Sequence, residues 1–199
     1  AAISHNTAEQ GNAGAVYAIG TESTNLSFFN TTIAHNISTT GQGGAIYSQA
    51  NTVSNIAIMN STVAANFSQT GGAAIYTQAT TNNVSLLNTF LYANYNNNVE
   101  QAIQYIGTTN NLYAAYSVYG RLAGDVTFGE YNVGNKFIES DDIQNELVNR
   151  FATLTQYNTC WVPGYDQNRH IMPLKDKGLL STPGTKLGKA INGQYYFYH

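Results

Sequence analysis

The stretch GGAIYSQ, residues 43–49, returns as GGAAIYTQ at residues 71–78 and, in altered form, as NAGAVYAI at residues 12–19. Aligned on their tyrosines, the copies lie 30 and 29 residues apart. Asparagines recur in the same step, in the columns Asn25, Asn55 and Asn83; Asn30, Asn60 and Asn88; and Asn6, Asn36, Asn66 and Asn94. A weaker fourth copy passes through residues 102–118. A period of about 30 residues predicts a repeat architecture, because each unit buries its apolar side only by stacking on its neighbours.

Each repeat is predicted to be built from strands. Its apolar segments are four to six residues long and flanked by Gly and Asn, whereas helical repeats need ten or more residues at a spacing of 3.6. Alternation places Ile56 and Ile58 inward and Ala57 outward. Three short strands per unit predict an all-β, single-stranded parallel β-helix of about five coils. Its corners are expected at the Gly pairs, which permit positive φ, and at the Asn columns, which bond amide to amide.

A second element accompanies the glycine phrase in every unit. It reads I/V/L-x-x-N, at residues 33–36, 63–66 and 91–94. The combination resembles the GGAI and FxxN repeats of polymorphic outer-membrane proteins and similar autotransporter-like β-helix passengers, over roughly residues 1–120. The resemblance implies a right-handed β-helix, an extracellular or cell-surface location, and adhesive or structural rather than catalytic work.

The composition narrows the classes of partner. Only 10% of the 199 residues are charged and the formal net charge is −3, so we expect no nucleic-acid partner. No apolar run approaches the roughly 20 residues of a membrane-spanning helix, so no membrane span is predicted. Asn, Thr, Ser and Gly replace Lys and Glu, which is typical of secreted or cell-surface chains. The single cysteine, Cys160, excludes an intrachain disulfide.

The repeats offer little catalytic chemistry. Polysaccharide-degrading β-helix enzymes need clustered carboxylates with a base, or paired acids across a glycosidic bond. Between Ile3 and Asn98 the only acids are Glu9 and Glu22, and Lys and Arg are absent. Asp141 and Asp142 suit a helix start. The sequence therefore predicts a protein that is not an enzyme and that has no catalytic residue and no cofactor.

Two columns and one recurring tripeptide are the candidate surface features. His5 and His35 would stack in adjacent coils and could hold a metal, but a polar ladder is favoured and no metal site is predicted. Tyr17, Tyr47 and Tyr76 predict an outward aromatic ladder that could stack on sugar rings or stabilise the coil. N-x-S/T tripeptides mark possible glycosylation sites at Asn25, Asn30, Asn36, Asn60, Asn66 and Asn83.

The carboxyl-terminal part differs in composition, so we predict a β-helix domain over residues 1–138 and a small α/β capping segment over residues 139–199. An amphipathic helix is expected to begin at Ser140 and to continue to Leu154. Just before the final residue, His199, the segment carries Tyr195, Tyr196, Phe197 and Tyr198. We expect this aromatic stretch either to fold back on this chain or to pair with another copy.

Residues 3–6 match residues 33–36, so the chain opens inside a repeat. Ile3, His5 and Asn6 at this end, together with Tyr195–Tyr198, are the expected self-association surface of a head-to-tail homopolymer. The sequence thus predicts a non-catalytic secreted or cell-surface structural or adhesive protein, with other copies and surface glycans as its expected partners and extracellular filaments as a possible form. The alternative is a polysaccharide-binding or polysaccharide-degrading protein on a pectate-lyase-like scaffold.

Overall fold

The computed structural model describes residues 1–97, 99–130, 135–137, 174–175, 186–191 and 194–198. The amino-terminal part winds into about four turns rather than the five coils expected from the sequence. Strands of successive turns pair in parallel, so that four sheets, numbered 1 to 4 here, run along the stack. The predicted all-β parallel β-helix is confirmed, and Ile46 and Ile75 are direct partners in neighbouring coils.

Sheets 1 and 2 follow the glycine phrase of each coil. The strands of sheet 1 are Val16–Gly20, Ile46–Ala50, Ile75–Gln78, Ile103–Ile106 and Leu122–Ala123. The strands of sheet 2 are Ser23–Phe29, Val53–Met59, Thr81–Leu87, Thr109–Ala115 and Thr127–Phe128. The weaker fourth copy is in register with the others, since Ile75 pairs with Ile103 and Val84 pairs with Leu112.

Sheets 3 and 4 complete each coil. The strands of sheet 3 are Ala2–Ser4, Thr32–Ala34, Thr62–Ala64, Phe90–Leu91, Val118–Tyr119 and Lys136–Phe137. The strands of sheet 4 are Thr7–Ala8, Ile37–Ser38, Phe67–Ser68, Tyr95–Asn96 and Val99–Glu100. The last pair of sheet 4 is antiparallel.

Four strands per coil replace the three that the sequence predicted. The predicted third strand of each repeat is interrupted by a residue in the left-handed region, at His5, His35, Ala65 and Ala93, with φ between 55° and 61°. The chain turns there, and a strand of two residues follows. Alanine rarely adopts this conformation, so neither Ala65 nor Ala93 signals a corner in the sequence.

The core lies inside the coil and follows the predicted alternation. Ile56 is 1% exposed and Ile58 is fully buried, while Ala57 between them lies on the outer side. The other inward columns join them in one continuous apolar cluster, which includes Ile33, Val63, Leu91, Ile46 and Ile75. Each coil is therefore held by apolar packing inside and by backbone hydrogen bonds to the coils above and below.

The corners are only partly as expected. Gly43 and Gly72 have φ of 66° and 57° and turn the chain into sheet 1, as predicted. Asn30, Asn60 and Asn88 also lie in the left-handed region. The column of Asn25, Asn55 and Asn83, however, lies in the middle of the sheet 2 strands. The corner interpretation was wrong for that column, because an extended Asn can form the same ladder as a turn Asn.

The middle strands of sheet 3 are buried on both sides. Thr32, Thr62 and Phe90 alternate with the core residues Ile33, Val63 and Leu91, yet they are at most 5% exposed. Tyr92, just after the fourth strand, is fully buried as well. In the first strand, by contrast, Ala2 is exposed.

A fifth sheet lies near the carboxyl terminus. Its strands are Leu174–Lys175, Lys186–Ile191 and Gln194–Tyr198, all antiparallel, with the last strand in the middle. The aromatic segment thus pairs within its own chain. The helix predicted from Ser140 to Leu154 lies outside the described residues, and the boundary between residues 138 and 139 stays a prediction.

Candidate functional site on the outer sides of the coils

The three tyrosines of sheet 1 form a continuous stack. The ring centroids of Tyr17 and Tyr47 are 5.2 Å apart, and those of Tyr47 and Tyr76 are 5.1 Å apart with the rings 3° from parallel. The Tyr47 hydroxyl donates to Oε1 of Gln49 at 2.8 Å. Burial raises the pKa of Tyr47, and the neighbouring hydroxyls of Tyr76 and Tyr17 raise it further.

The stack leaves little ring surface for a ligand. Tyr47 and Tyr76 are each only 5% exposed, although they lie on the outer side of the sheet, whereas Tyr17 is 57% exposed. Coils lie about 4.8 Å apart, so the Tyr47 ring is covered on both of its flat sides by Tyr17 and Tyr76. Tyr76 has the Tyr47 ring on one side and Gln104 as its strand partner in the next coil. The ladder therefore stabilises the coil, and only Tyr17 offers a ring to solvent.

The two histidines also stack, with ring centroids 5.0 Å apart and the planes 24° from parallel. Burial lowers the pKa of His35 below its ordinary value, and the neighbouring His5 lowers it further. Ala65 and Ala93 hold the equivalent positions in the next coils. Within the described ranges no group of three or more His, Cys, Asp or Glu side chains comes together.

The acidic residues of the repeats are dispersed. Glu9 and Glu22 are exposed, and Oε2 of Glu22 accepts from the Thr52 hydroxyl at 3.2 Å. Glu100 is 1% exposed and accepts the backbone N–H of Arg121 at 2.8 Å. This buried carboxylate was not anticipated, since Glu100 occupies the place of the corner glycines.

A buried Asn ladder, formed by Asn6, Asn36, Asn66 and Asn94, follows the corner between sheets 3 and 4. Each Nδ2 donates to the Oδ1 of the next asparagine, at 2.9, 3.0 and 2.9 Å. Asn36 and Asn66 also donate to backbone carbonyls and are at most 1% exposed. Their amides are thus fully committed, and a glycan cannot be attached to either in the folded chain.

An outer Asn ladder, formed by Asn25, Asn55, Asn83 and Asn111, crosses the strands of sheet 2. Here each Nδ2 donates to the Oδ1 of the preceding asparagine at 2.8 Å. Asn25 is exposed, and Asn55 and Asn83 are partly exposed. Of the remaining predicted glycosylation sites, Asn30 is exposed and Asn60 is partly exposed.

A chain of buried hydroxyls inside the coil was missed by the sequence analysis. Thr24 Oγ1 lies 2.7 Å from Ser48 Oγ, which lies 2.7 Å from Ser54 Oγ. Thr77 Oγ1 is 2.8 Å from both Ser54 Oγ and Asn82 Oδ1. An amide oxygen only accepts, so Thr77 donates to Asn82 and every earlier hydroxyl donates to the next. This hydroxyl chain could have been predicted from the small polar residues at inward positions of sheets 1 and 2.

The predicted self-association residues lie in two places. Ile3 pairs with Ile33 in the first strand of sheet 3, and Asn6 begins the buried Asn ladder. His5 and Asn6 are exposed. Tyr195–Tyr198 belongs to the middle strand of the carboxyl-terminal sheet, which pairs along one edge with Lys186–Ile191 and, at Gln194 and Tyr195, along the other edge with Leu174–Lys175.

One coil can be compared directly with a known repeat. Residues 30–49 match the Chlamydia polymorphic membrane protein (Chlamydia_PMP) repeat. The matched segment contains both elements noted in the sequence, Ile33–Asn36 and GGAI at residues 43–46. It runs from the Asn30 corner through sheets 3 and 4 and into sheet 1.

The repeat match and the stacked coils together fit a polymorphic-membrane-protein-like β-helix repeat, which confirms the resemblance drawn from the sequence. Searches of the curated proteins and of the solved structures each found no match. Among the residues that the structure describes, no helix has the length and apolar character to cross a membrane.

Proposed function

We propose that the chain is a non-catalytic, surface-displayed β-helix that serves as a structural and adhesive element outside the cell. The observation that carries this proposal is the match of residues 30–49 to a membrane-protein repeat, placed on a coil whose neighbours share its register. Uncharged polar outer sides support it, since Lys and Arg are absent from residues 1–120. Acids in that range number three and lie apart in the sequence, at Glu9, Glu22 and Glu100.

Surface labelling tests the location. An antibody raised against the purified chain is applied to intact and to permeabilised cells of the source organism, with a cytoplasmic protein as the control. We expect equal labelling of both preparations for this chain and labelling of the control only after permeabilisation. Signal that requires permeabilisation refutes surface display.

We further propose end-to-end association of copies through the first coil. The stacking of the coils supports this, since equivalent strands and asparagines pair from one coil to the next and a second copy would present the same groups. Tyr195–Tyr198 gives less support, because it already pairs with other strands of its own chain. Sedimentation velocity over a range of concentrations is expected to show species larger than the monomer, and Asn6→Ala is expected to reduce them. A single monomeric species at every concentration refutes association.

A further inference from the structure

The outer side of sheet 2 carries a shallow trough that runs along the stack of coils. Its floor consists of small side chains, Ser27, Ala57 and Ser85, which are direct partners in successive strands. Two residues before them on each strand stands the outer Asn ladder. Two residues after them stands an apolar wall, formed by Phe29, Met59 and Leu87. At the rise of an extended strand the two walls are about 13 Å apart.

The polar wall has hydrogen-bonding capacity to spare. A carboxamide has two N–H donors and an oxygen with two lone pairs. In the middle of the ladder, Asn55 and Asn83 each use one donor and one lone pair on their neighbours, at 2.8 Å. One donor and one acceptor per coil therefore remain for a ligand, repeated about every 4.8 Å along the trough.

The opposite wall and the far end are apolar. Phe29 is 57% exposed and Leu87 is 42% exposed. In the fourth coil the floor column ends at Tyr113, which is 41% exposed. Gly129 lies against this ring, where an added Cβ would come within 2.2 Å of Tyr113 Cδ1. The glycine thus lets the ring rest on the backbone with its other side open to solvent.

Charge is absent from both walls and from the floor. The nearest acids in the sequence are Glu22, before the first strand of sheet 2, and Asp125 and Glu130, on either side of the last. The first Lys or Arg of the chain is Arg121, just before the last strand of sheet 1. A polyanion therefore finds no cation along the trough, and burying its charges there would be unfavourable.

We infer that this trough binds a neutral polysaccharide chain that lies along the stack of coils. Sugar hydroxyls would bond the spare amide groups, while the C–H face of the sugar rings packs on the apolar wall and on Tyr113. The inference deepens the proposed adhesive function and rests on it. The sequence analysis suggested the tyrosine stack of sheet 1 as the place where sugars could bind, but two of its three rings are covered. The structure instead favours sheet 2 as the sugar-binding surface.

A pull-down with insoluble chitin and cellulose tests the inference, with heparin-agarose as the anionic comparison. The full chain is produced in a host that adds no N-glycans, because a glycan on Asn25 or Asn83 would cover the polar wall. We expect retention on at least one neutral polysaccharide and none on heparin. Ala57→Arg fills the trough floor, and we expect it to weaken retention about tenfold, which corresponds to about 1.4 kcal/mol.

Matched variants on sheet 1 distinguish a loss of binding in the trough from a nonspecific effect of adding an Arg or removing an exposed ring. Gln78→Arg adds the same side chain to an outward position of the neighbouring sheet, and Tyr17→Ala removes an exposed ring as Tyr113→Ala does. We expect Tyr113→Ala to weaken retention and both sheet 1 variants to leave it unchanged, with thermal melting confirming that all are folded. Retention on neither neutral polysaccharide, retention on heparin alone, or equal loss in the two Arg variants would overturn the inference.

The two tests fail independently. If the antibody labels intact cells but the chain is not retained on chitin or cellulose, surface display stands and binding in the trough is refuted. If the chain is retained but the antibody labels only permeabilised cells, binding in the trough stands and surface display is refuted.

Discussion

Removing one amide from the buried Asn ladder is expected to destabilise the coil strongly. Oδ1 of Asn66 accepts both the backbone N–H and the Nδ2 of Asn36, each at 3.0 Å. Its own Nδ2 donates to Asn94 Oδ1 and to the carbonyls of Ile33 and Ala64, at 2.9 to 3.1 Å. The substitution Asn66→Ala therefore leaves the buried backbone N–H of Asn36 without this acceptor, while the Asn36 amide keeps the carbonyls of Ile3 and Ala34. It also removes the amide group that three buried acceptors share.

The magnitude follows from the cost of burying a polar group without a partner. The orphaned N–H costs about 1–3 kcal/mol and the lost bonds of the amide about 1 kcal/mol, so the loss in free energy of unfolding is about 3 kcal/mol. For a chain of this length, that corresponds to a fall in Tm of about 6–12 °C. Asn55→Ala is the matched control, because Asn55 also joins two asparagines but is partly exposed. Water replaces its lost bonds, so the expected cost is about 0.5–1 kcal/mol.

Urea and thermal unfolding, followed by far-ultraviolet circular dichroism, measure both variants. A fall in Tm for Asn66→Ala that is no larger than the fall for Asn55→Ala would refute the reasoning. Burial of the asparagine would then not determine how much stability is lost when its hydrogen bonds are removed.

Three further outcomes are expected. In an N-glycosylating host, glycopeptide mass spectrometry should find a glycan on Asn25 and none on Asn66, which is 1% exposed; occupancy of Asn66 contradicts the folded geometry. Ala65→Gly should raise Tm by about 2 °C, because glycine relieves the cost of φ at 55°, whereas Ala64→Gly in the adjacent strand should lower it. The pKa of His35 is lower in the folded chain than its ordinary 6.5, so the unfolded chain binds the proton more tightly and stability should fall as pH drops through about 6.5. His35→Ala should flatten that part of the Tm–pH curve, and an unchanged slope contradicts the assignment.

The register of the coils was predictable because the repeated phrase fixes it. Once Tyr47 is placed over Tyr76, every inward apolar residue of sheets 1 and 2 falls over its equivalent. The same alignment predicted the stacking of the asparagines. Equivalent residues in a repeat share one environment, so a position that is apolar in all three copies is assigned to the core more securely than a position seen once.

The backbone conformation of the corners could not be predicted from the repeated phrase. At Ala65 the backbone adopts a left-handed conformation that the side chain itself disfavours, and the buried asparagine that follows it holds the turn through bonds to other coils. Such a turn depends on contacts 28 residues away in sequence. A local pattern therefore gives no signal for it.

The outer surface was the least predictable part of the chain. Alternation correctly assigned Tyr47 and Tyr76 to the outer side, but an outer side chain can be covered by its own stacked neighbours, and both are only 5% exposed. The trough of sheet 2 was hidden by the interpretation of its Asn wall as a corner. Sequence alternation tells which way a side chain points but not what lies beside it, and an Asn column by itself does not distinguish a corner from a strand.

The parallel register has a mechanical consequence. Strands lie across the axis of the stack, and each coil is attached to the next by hydrogen bonds directed along that axis. A pulling force applied at the two ends of the stack therefore opens these bonds one coil at a time, as in unzipping, rather than shearing many at once. Each coil that peels away releases about 100 Å of extended chain at 3.3–3.6 Å per residue. Under tension the β-helix would lengthen in regular steps at low force, absorbing extension without breaking the covalent chain.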